Sequence, residues 1–416
     1  MIRQVREKLG RCPRQLANVP VVASSLRRLK SAGRKYLWAV VLFWGVIGIP
    51  GLYLLEMISI ETVNMFGRYF ALAMVALSLD LIWGYTGMLC LCQSLFFALG
   101  GYAMGMHLAH HGGPGGFVDK LGWNIPACLY YLYPYGIGEA PADAMTPWFW
   151  KPFYSLPVTI ILGLCIPGVI AAIIGFFVFR SRVRGVFFAI LTQALTLAAW
   201  LLFCMNNMKL CGTNGLTRFN KLAGTPVSNP GTQLGLYLIT VLMLIGVYYL
   251  CRFIIQSRFG RVLVAVRDNE TRLRFAGFEP YVYKLFVFSL SAMIAGLGGV
   301  LYAPQMGIFT PTNMEVKESI MVVVWVAVGG RGTLSGAILG ALIVNLLYNY
   351  LTSQHEFFWF LKSIVPDGVY ELLIWKADYW PFVLGALFIL VVRYMPDGLI
   401  SVWRRAIAEP NEEAQP

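Results

Sequence analysis

The sequence predicts an all-α polytopic membrane protein of about ten transmembrane helices, some of them broken, with both termini in the cytosol. Three observations carry this. Of 416 residues, 58% are hydrophobic and only 13% charged, more apolar surface than a soluble domain can cover with polar groups. Several windows of about 18 residues or more run almost without charge, which is the length of helix that crosses a bilayer. These runs are continuous and do not alternate, which excludes a β-barrel. Finally, the basic residues fall on one side of the resulting layout, as the positive-inside rule requires.

The chain opens with a basic tail, 1–36, that carries ten Lys/Arg and the single acid Glu7. No small-residue cleavage site follows the next apolar run, so the tail reads as a cytosolic arm near anionic lipid and not as a secretory signal. Apolar spans then occur near 37–58, 66–84, 88–109, 156–179, 186–205, 234–255, 285–303, 319–330, 334–352 and 380–395. They form one membrane domain, 37–403, followed by a cytosolic tail, 404–416. The piece at 319–330 is too short to cross alone; it either starts earlier or is a broken or re-entrant helix. With the N-terminus inside, Arg180, Arg182, Arg184, the 256–284 loop, Arg331, Arg393, Arg404 and Arg405 are cytosolic, and the weakly charged segment 110–155 is outside. Lys209, Arg218 and Lys221, in an outer loop, are the exception. The net charge of +13 accordingly reads as topology and attraction to lipid, and no nucleic acid is expected.

The 110–155 segment contains HHGGPGG and a run of Tyr and Trp. Its Gly and Pro block a long helix, and its aromatics suit the membrane interface. His107, His110 and His111 have no neighbouring Cys or carboxylate to complete a metal site and read as a polar span end. A second outer stretch, 353–379, reads as a broken amphipathic helix lying on the membrane. The eight cysteines are scattered and read as small apolar residues. Gly101 and Gly105, Gly336 and Gly340, and the cluster Gly296, Gly298 and Gly299 mark close helix packing, because in lipid small residues let backbones approach.

No Walker A sequence, HExxH, GxSxG or Cys/His metal cluster is present, so no catalytic set and no cofactor or metal are expected in this chain. Asp80 is the acid deep in a predicted span. An intramembrane carboxylate is costly and therefore a functional candidate; its alternative role is a hydrogen bond to a neighbouring helix or to the turn 84–87. Gln93, Thr192, Gln193 and Asn214 add amides and hydroxyls. Such groups suit a small neutral polar solute, and they equally suit interhelical hydrogen bonds.

The loop 256–284 is the longest strongly charged stretch between spans. Val262, Val266 and Leu273 stand at helical spacing, and the helix is expected to stop at Gly277, with Pro280 beyond it. A short charged helix tied to two spans suits docking on a soluble partner; as a plain connector it would only set topology.

The run SRFGRVLVAVRDNETRLRFAGFEPYVYKLFVFSLSAMIAGLGGVLYAPQ, followed by VVVWVAVGGRGTLSGAILGALIV, resembles the membrane permease of branched-chain amino acid/urea-type ABC importers. The pieces GYTG…FFALGGYAMGM, FRSRVRGVFFAILTQALT, CGTNGL and MPDGL fit as well, and the larger permease of the urea importer is the nearest subgroup. The resemblance implies a heterodimer with a second permease, two cytosolic ATPase subunits that bind the ATP, and an outer-face solute-binding protein. It makes 262–277 the coupling segment, with Arg267, Asp268, Asn269, Glu270, Arg272 and Gly277 at the matching positions, and it places Arg331 at the inner mouth. The chain departs from the family at Cys92-Gln93-Ser94, where a Gly-His-Gly-like stretch is usual; Gln93 keeps hydrogen bonding but cannot titrate.

The reading is therefore a permease subunit of an importer for urea or a related short amide, in a bacterial inner membrane. A branched-chain amino acid importer permease is the alternative, because half-helix ends can meet an amino acid's charges without charged side chains. A stand-alone channel or secondary carrier would leave the 262–277 segment without a task.

Overall fold

In the computed structural model the described residues are 48–111, 146–183, 185–217, 219–222 and 224–352, with single positions at 45, 129, 382, 385, 386, 389, 393 and 398. They divide into two units, 1–59 and 60–416. The first contains the short helix α1, Ile49–Leu54. The second contains α2 (Ile60–Thr86), α3 (Gln93–His111), α4 (Leu156–Arg180), α5 (Val186–Cys204) and α6 (Pro230–Gln256). It continues with α7 (Arg258–Phe275), α8 (Pro280–Met306), α9 (Val316–Gly329) and α10 (Leu334–Thr352). Between α5 and α6, β1 (Lys221–Leu222) pairs antiparallel with β2 (Thr225–Pro226), Lys221 opposite Pro226.

The helices start and stop where local chemistry directs. Asn229 caps α6 by accepting the Gly231 N–H at 3.2 Å, with Pro230 in the first turn. Proline there loses no hydrogen bond, because the first N–H groups of a helix lack partners anyway. Helix α8 likewise opens on Pro280 and ends at Gly307, whose φ of +78° only glycine adopts without strain.

Among the described residues, α2, α4, α5, α6 and α8 are each long and apolar enough to cross a membrane. Helices α9 and α10 pass that test only together and are bent by 118° at the intervening turn. So the expected short piece at 319–330 is the first arm of a broken helix. At 14 residues α9 is about 21 Å long, short of a hydrocarbon core of about 30 Å. The expected spans 37–58 (apart from α1) and 380–395 lie outside the described residues, as do the two tails, segment 353–379, and most of 110–155.

Helix α8 is the hub and packs on α2, α3 and α4. Glycines set these crossings. Gly299 lies against the Phe97 carbonyl, Gly100 against the Gly296 carbonyl, and Gly163 against Val300, so no Cβ fits at any of them. Gly336 and Gly340 do the same between α9 and α10, against Gly329 and Trp325. The small-residue expectation holds for the Gly296–Gly299 cluster and for Gly336 and Gly340, where close backbone contact replaces burial from water as the source of helix affinity, whereas Gly101 and Gly105 face the side chains of Phe309 and Leu216 outside the helices. Aromatic edge-to-face pairs fill the rest, Phe96–Phe288 at 5.5 Å and Tyr102–Phe309 at 5.5 Å among them. Large side chains such as Phe177, Phe187 and Phe253 point outward, as lipid contact requires.

One expectation needs correction. Cys211 is disulfide-bonded, so the cysteines are not all mere small apolar residues. The charged helix runs from Arg258 and is broken at Asn269, whose φ of −159° and ψ of 93° are not helical.

Candidate functional site

A cavity of about 300 Å³ opens between α2, α8, α9 and α10. Its rim residues Arg68, Met306, Asn313 and Lys317 belong to the helix ends that charge assigns to the outer face. Arg68, Lys317 and Glu318 bring both signs of charge to the wall, and Asn345 and Asn349 bring amides. Leu72, Val75, Phe97, Met321, Val322 and Trp325 form an apolar lining. Ser94 and Ser319 hydrogen-bond to each other across α3 and α9 at its edge. Arg68 donates from Nη1 to the Met306 sulfur at 3.1 Å, a weak acceptor that leaves the guanidinium underused.

None of the five polar residues singled out from the sequence lines this cavity. Asp80 is fully buried nearer the inner end, where its Oδ1 accepts the Gly332 N–H at 2.6 Å. Gln93 donates to Ser291 Oγ at 2.9 Å and accepts from Ser78 at 3.2 Å, which joins α3, α8 and α2. Thr192 accepts the Leu91 N–H at 3.1 Å and so holds α5 to the α2–α3 linker. The amide of Gln193 is buried with no partner among the described residues. Asn214 is exposed in the short turn Gly212–Asn214. Gln93 and Thr192 thus make the interhelical bonds that were the alternative to a pathway role. The histidines make local contacts: His107 Nδ1 lies 2.8 Å from the Phe153 carbonyl, and His110 stacks on Tyr154 at 4.1 Å.

The cavity charges were legible in one respect. Arg68 stands inside the expected span 66–84, and an intramembrane arginine is as costly as Asp80. Lys317 and Glu318 precede a span that looked too short to cross alone, and nothing local drew attention to them.

The segment 258–277 is built in two pieces. Ser257 caps the first by accepting the Gly260 N–H at 3.4 Å, and Leu263 and Val266 are its buried face. After the break, Asn269 Oδ1 accepts the Arg272 N–H at 3.0 Å and caps the second piece. Its stop is a Schellman turn: Phe278 N–H bonds to the Leu273 carbonyl at 3.3 Å and Gly277 N–H to the Arg274 carbonyl at 3.0 Å. Gly277, with φ of +83°, supplies the left-handed residue, as expected from the sequence. Glu270 does not face outward. Its two oxygens bind Arg274 at 2.7 Å and Lys284 at 2.8 Å, which clamps α7 onto the first turns of α8. Arg272, Asp268 and Phe275 are exposed, Phe275 by 89%. Arg267 is exposed but turns back to the end of α2, donating to the Gly84 carbonyl at 3.0 Å.

Comparison with known proteins places this architecture. The profile of the branched-chain amino acid transport system permease component family matches residues 62–392. The chain belongs to that family. The permease is 24% identical over 383 residues to the high-affinity branched-chain amino acid transport system permease protein LivM of Escherichia coli K12, covering 86% of this chain and 74% of LivM. A Methanocaldococcus jannaschii protein described as a probable branched-chain amino acid transport permease LivM is 26% identical over 363 residues, 82% of this chain and 94% of its own. The autoinducer 2 import system permease protein LsrC of Enterobacter sp. strain 638 is 30% identical over 227 residues, 53% of this chain and 64% of its own. No solved structure matches. The permease is thus a transport subunit of an ABC importer in the inner membrane and not itself an enzyme. The expected kinship to a urea permease finds no support among these relatives.

Proposed function

We propose that this permease carries a branched-chain amino acid, or a similar apolar zwitterion, in an ATP-driven importer. The observation that carries the reading is the cavity, which combines both signs of charge with an apolar lining. An amino acid needs a cation for its carboxylate, an anion for its ammonium and a dry wall for its side chain. Arg68 and Lys317 supply the first, Glu318 the second, and Leu72, Val75, Met321 and Val322 the third. Helix α9 starts at this wall and adds the positive end of its dipole, a common arrangement for a solute carboxylate in broken transporter helices. Urea, neutral and planar, would need none of these charges and would gain nothing from the apolar lining. The names of the LivM relatives point the same way.

The importer would contain a second permease, two ATPase subunits and an outer-face solute-binding protein, with α7 as the piece that meets an ATPase. The test is uptake by membrane vesicles that contain all of these subunits. Labelled leucine should enter with ATP and should ignore excess urea. ATP-driven uptake of urea that ignores leucine would overturn the assignment.

A further inference from the structure

Two arginines from different elements end on adjacent carbonyls of one helix. The last carbonyls of α2 have no partner within the helix. Arg331, in the turn between α9 and α10, donates from Nε to the Trp83 carbonyl at 3.1 Å, and its guanidinium lies 4.9 Å over the Trp83 ring. Arg267, on α7, takes the next carbonyl, that of Gly84. Two more bonds fix the turn to the same helix: Gly332 N–H to Asp80, and Tyr85 Oη to the Gly332 carbonyl at 3.0 Å. Gly398 packs on Gly330 from the other side. Burial and the adjacent Arg267 pull the Arg331 guanidinium below its ordinary pKa, while Asp80 offsets this. The two cations therefore oppose each other across one helix end.

The place of this knot matters. Asp80 follows Val75 by five residues and Gly330 follows Trp325 by five, so the knot lies about 7.5 Å below the cavity lining on the α2 side. A solute moving from the cavity along α2 and α9 towards the opposite end of these helices meets it. The turn it holds is hinged at Gly330 and Gly332, with φ of +116° and +74°.

We propose that this knot is the inner gate of the permease, closed in this conformation, and that Arg267 is the positioning residue through which α7 controls it. This rests on the transport reading above. Helix α7 is clamped to α8 by Glu270 and Lys284, so a push on α7 moves α8 with it. The contact of α7 with α2 through Arg267 must then slip, and the turn at 330–333 shares that helix end. A small displacement is converted into release of a hinged turn, as in other bistable packings.

The gate can be read without knowing the solute. Cys251 is fully buried on α6, near the end of that helix at Gln256 and on the side of the 258–277 segment. In the complete importer, a membrane-impermeant maleimide is applied from the cytosolic side and the labelled cysteine is identified by mass spectrometry. In the resting complex Cys251 should be protected. Arg331→Ala should raise its labelling rate about tenfold, the effect of losing one charge-assisted hydrogen bond on a two-state closure. Tyr85→Phe should raise it by a smaller factor. Nucleotide trapping should alter Cys251 labelling in the wild type, and Arg267→Ala should abolish that response with the ATPases still bound. If Arg331→Ala labels Cys90, Cys92 and Cys251 alike, it has unfolded, and Tyr85→Phe decides. Wild-type protection in the deciding variant, or a normal nucleotide response in Arg267→Ala, overturns the proposal. Failure of leucine uptake with these responses intact would instead remove only the solute assignment.

Discussion

Replacing Glu270 by alanine removes a carboxylate that holds α7 to α8. Its pair with Lys284 is nearly dry, with side chains 12% and 9% exposed. A charge-assisted hydrogen bond in such a site contributes about 1.5–3 kcal/mol. The Arg274 pair is more exposed, at 31% on the arginine side, and screening holds its share to about 0.5 kcal/mol. The total is about 2–3.5 kcal/mol, confined to the corner formed by residues 270–284. That corresponds to an increase of about 30- to 400-fold in local opening. Hydrogen exchange of the complete importer without nucleotide should show the loss of protection at the backbone amides of that corner, with the rest of the bundle unchanged. Solute carried per ATP should fall in parallel, because motion of α7 no longer reaches α8. Glu270→Gln should fall between, since it keeps hydrogen bonds and loses the charge. Unchanged exchange at 270–284 would refute the clamp, and if the ATPase then dissociated, Glu270 would be a docking contact instead.

Arg272→Ala and Phe275→Ser alter exposed groups and should leave hydrogen exchange of the bundle unchanged while weakening co-purification of the ATPase; intact co-purification in both would place docking elsewhere. Gly299→Ala would drive a Cβ into the Phe97 carbonyl. It should cost about 1–3 kcal/mol or more, read as a lower melting temperature in detergent, whereas a wild-type value would show that α3 and α8 can part there. Glu318→Gln keeps the shape of the cavity wall and removes its anion. At saturating loaded binding protein it should slow leucine transport several-fold with basal ATP hydrolysis unchanged, and an unaffected rate would remove Glu318 from the ammonium site.

Several features were legible because their causes are local. Hydropathy over about 20 residues located α2, α4, α5, α6 and α8, since crossing a bilayer demands an unbroken apolar run. The Gly277 stop could be read because a Schellman turn needs a left-handed residue at one position. The family likewise could be read from its motifs, with the profile match over 62–392 in agreement. The urea reading finds no support among the relatives; it rested on the resemblance and on polar groups such as Gln93 and Thr192, which bond to Ser291 and to the Leu91 N–H. The charges that line the cavity sit at helix beginnings that hydropathy treats as boundaries.

What the sequence determined by itself is the apolar helices α2, α4, α5, α6 and α8 and the stop at Gly277, all properties of neighbouring residues. Only the tertiary structure decided which polar groups meet. Glu270 finds Lys284 at a separation of 14 residues, Arg267 finds the Gly84 carbonyl at 183, and Asp80 finds Gly332 at 252. The reason is that a lone buried polar group must find a partner wherever packing offers one. In a bundle that choice is made by the glycine crossings of α3, α8, α9 and α10, which no single stretch of sequence contains.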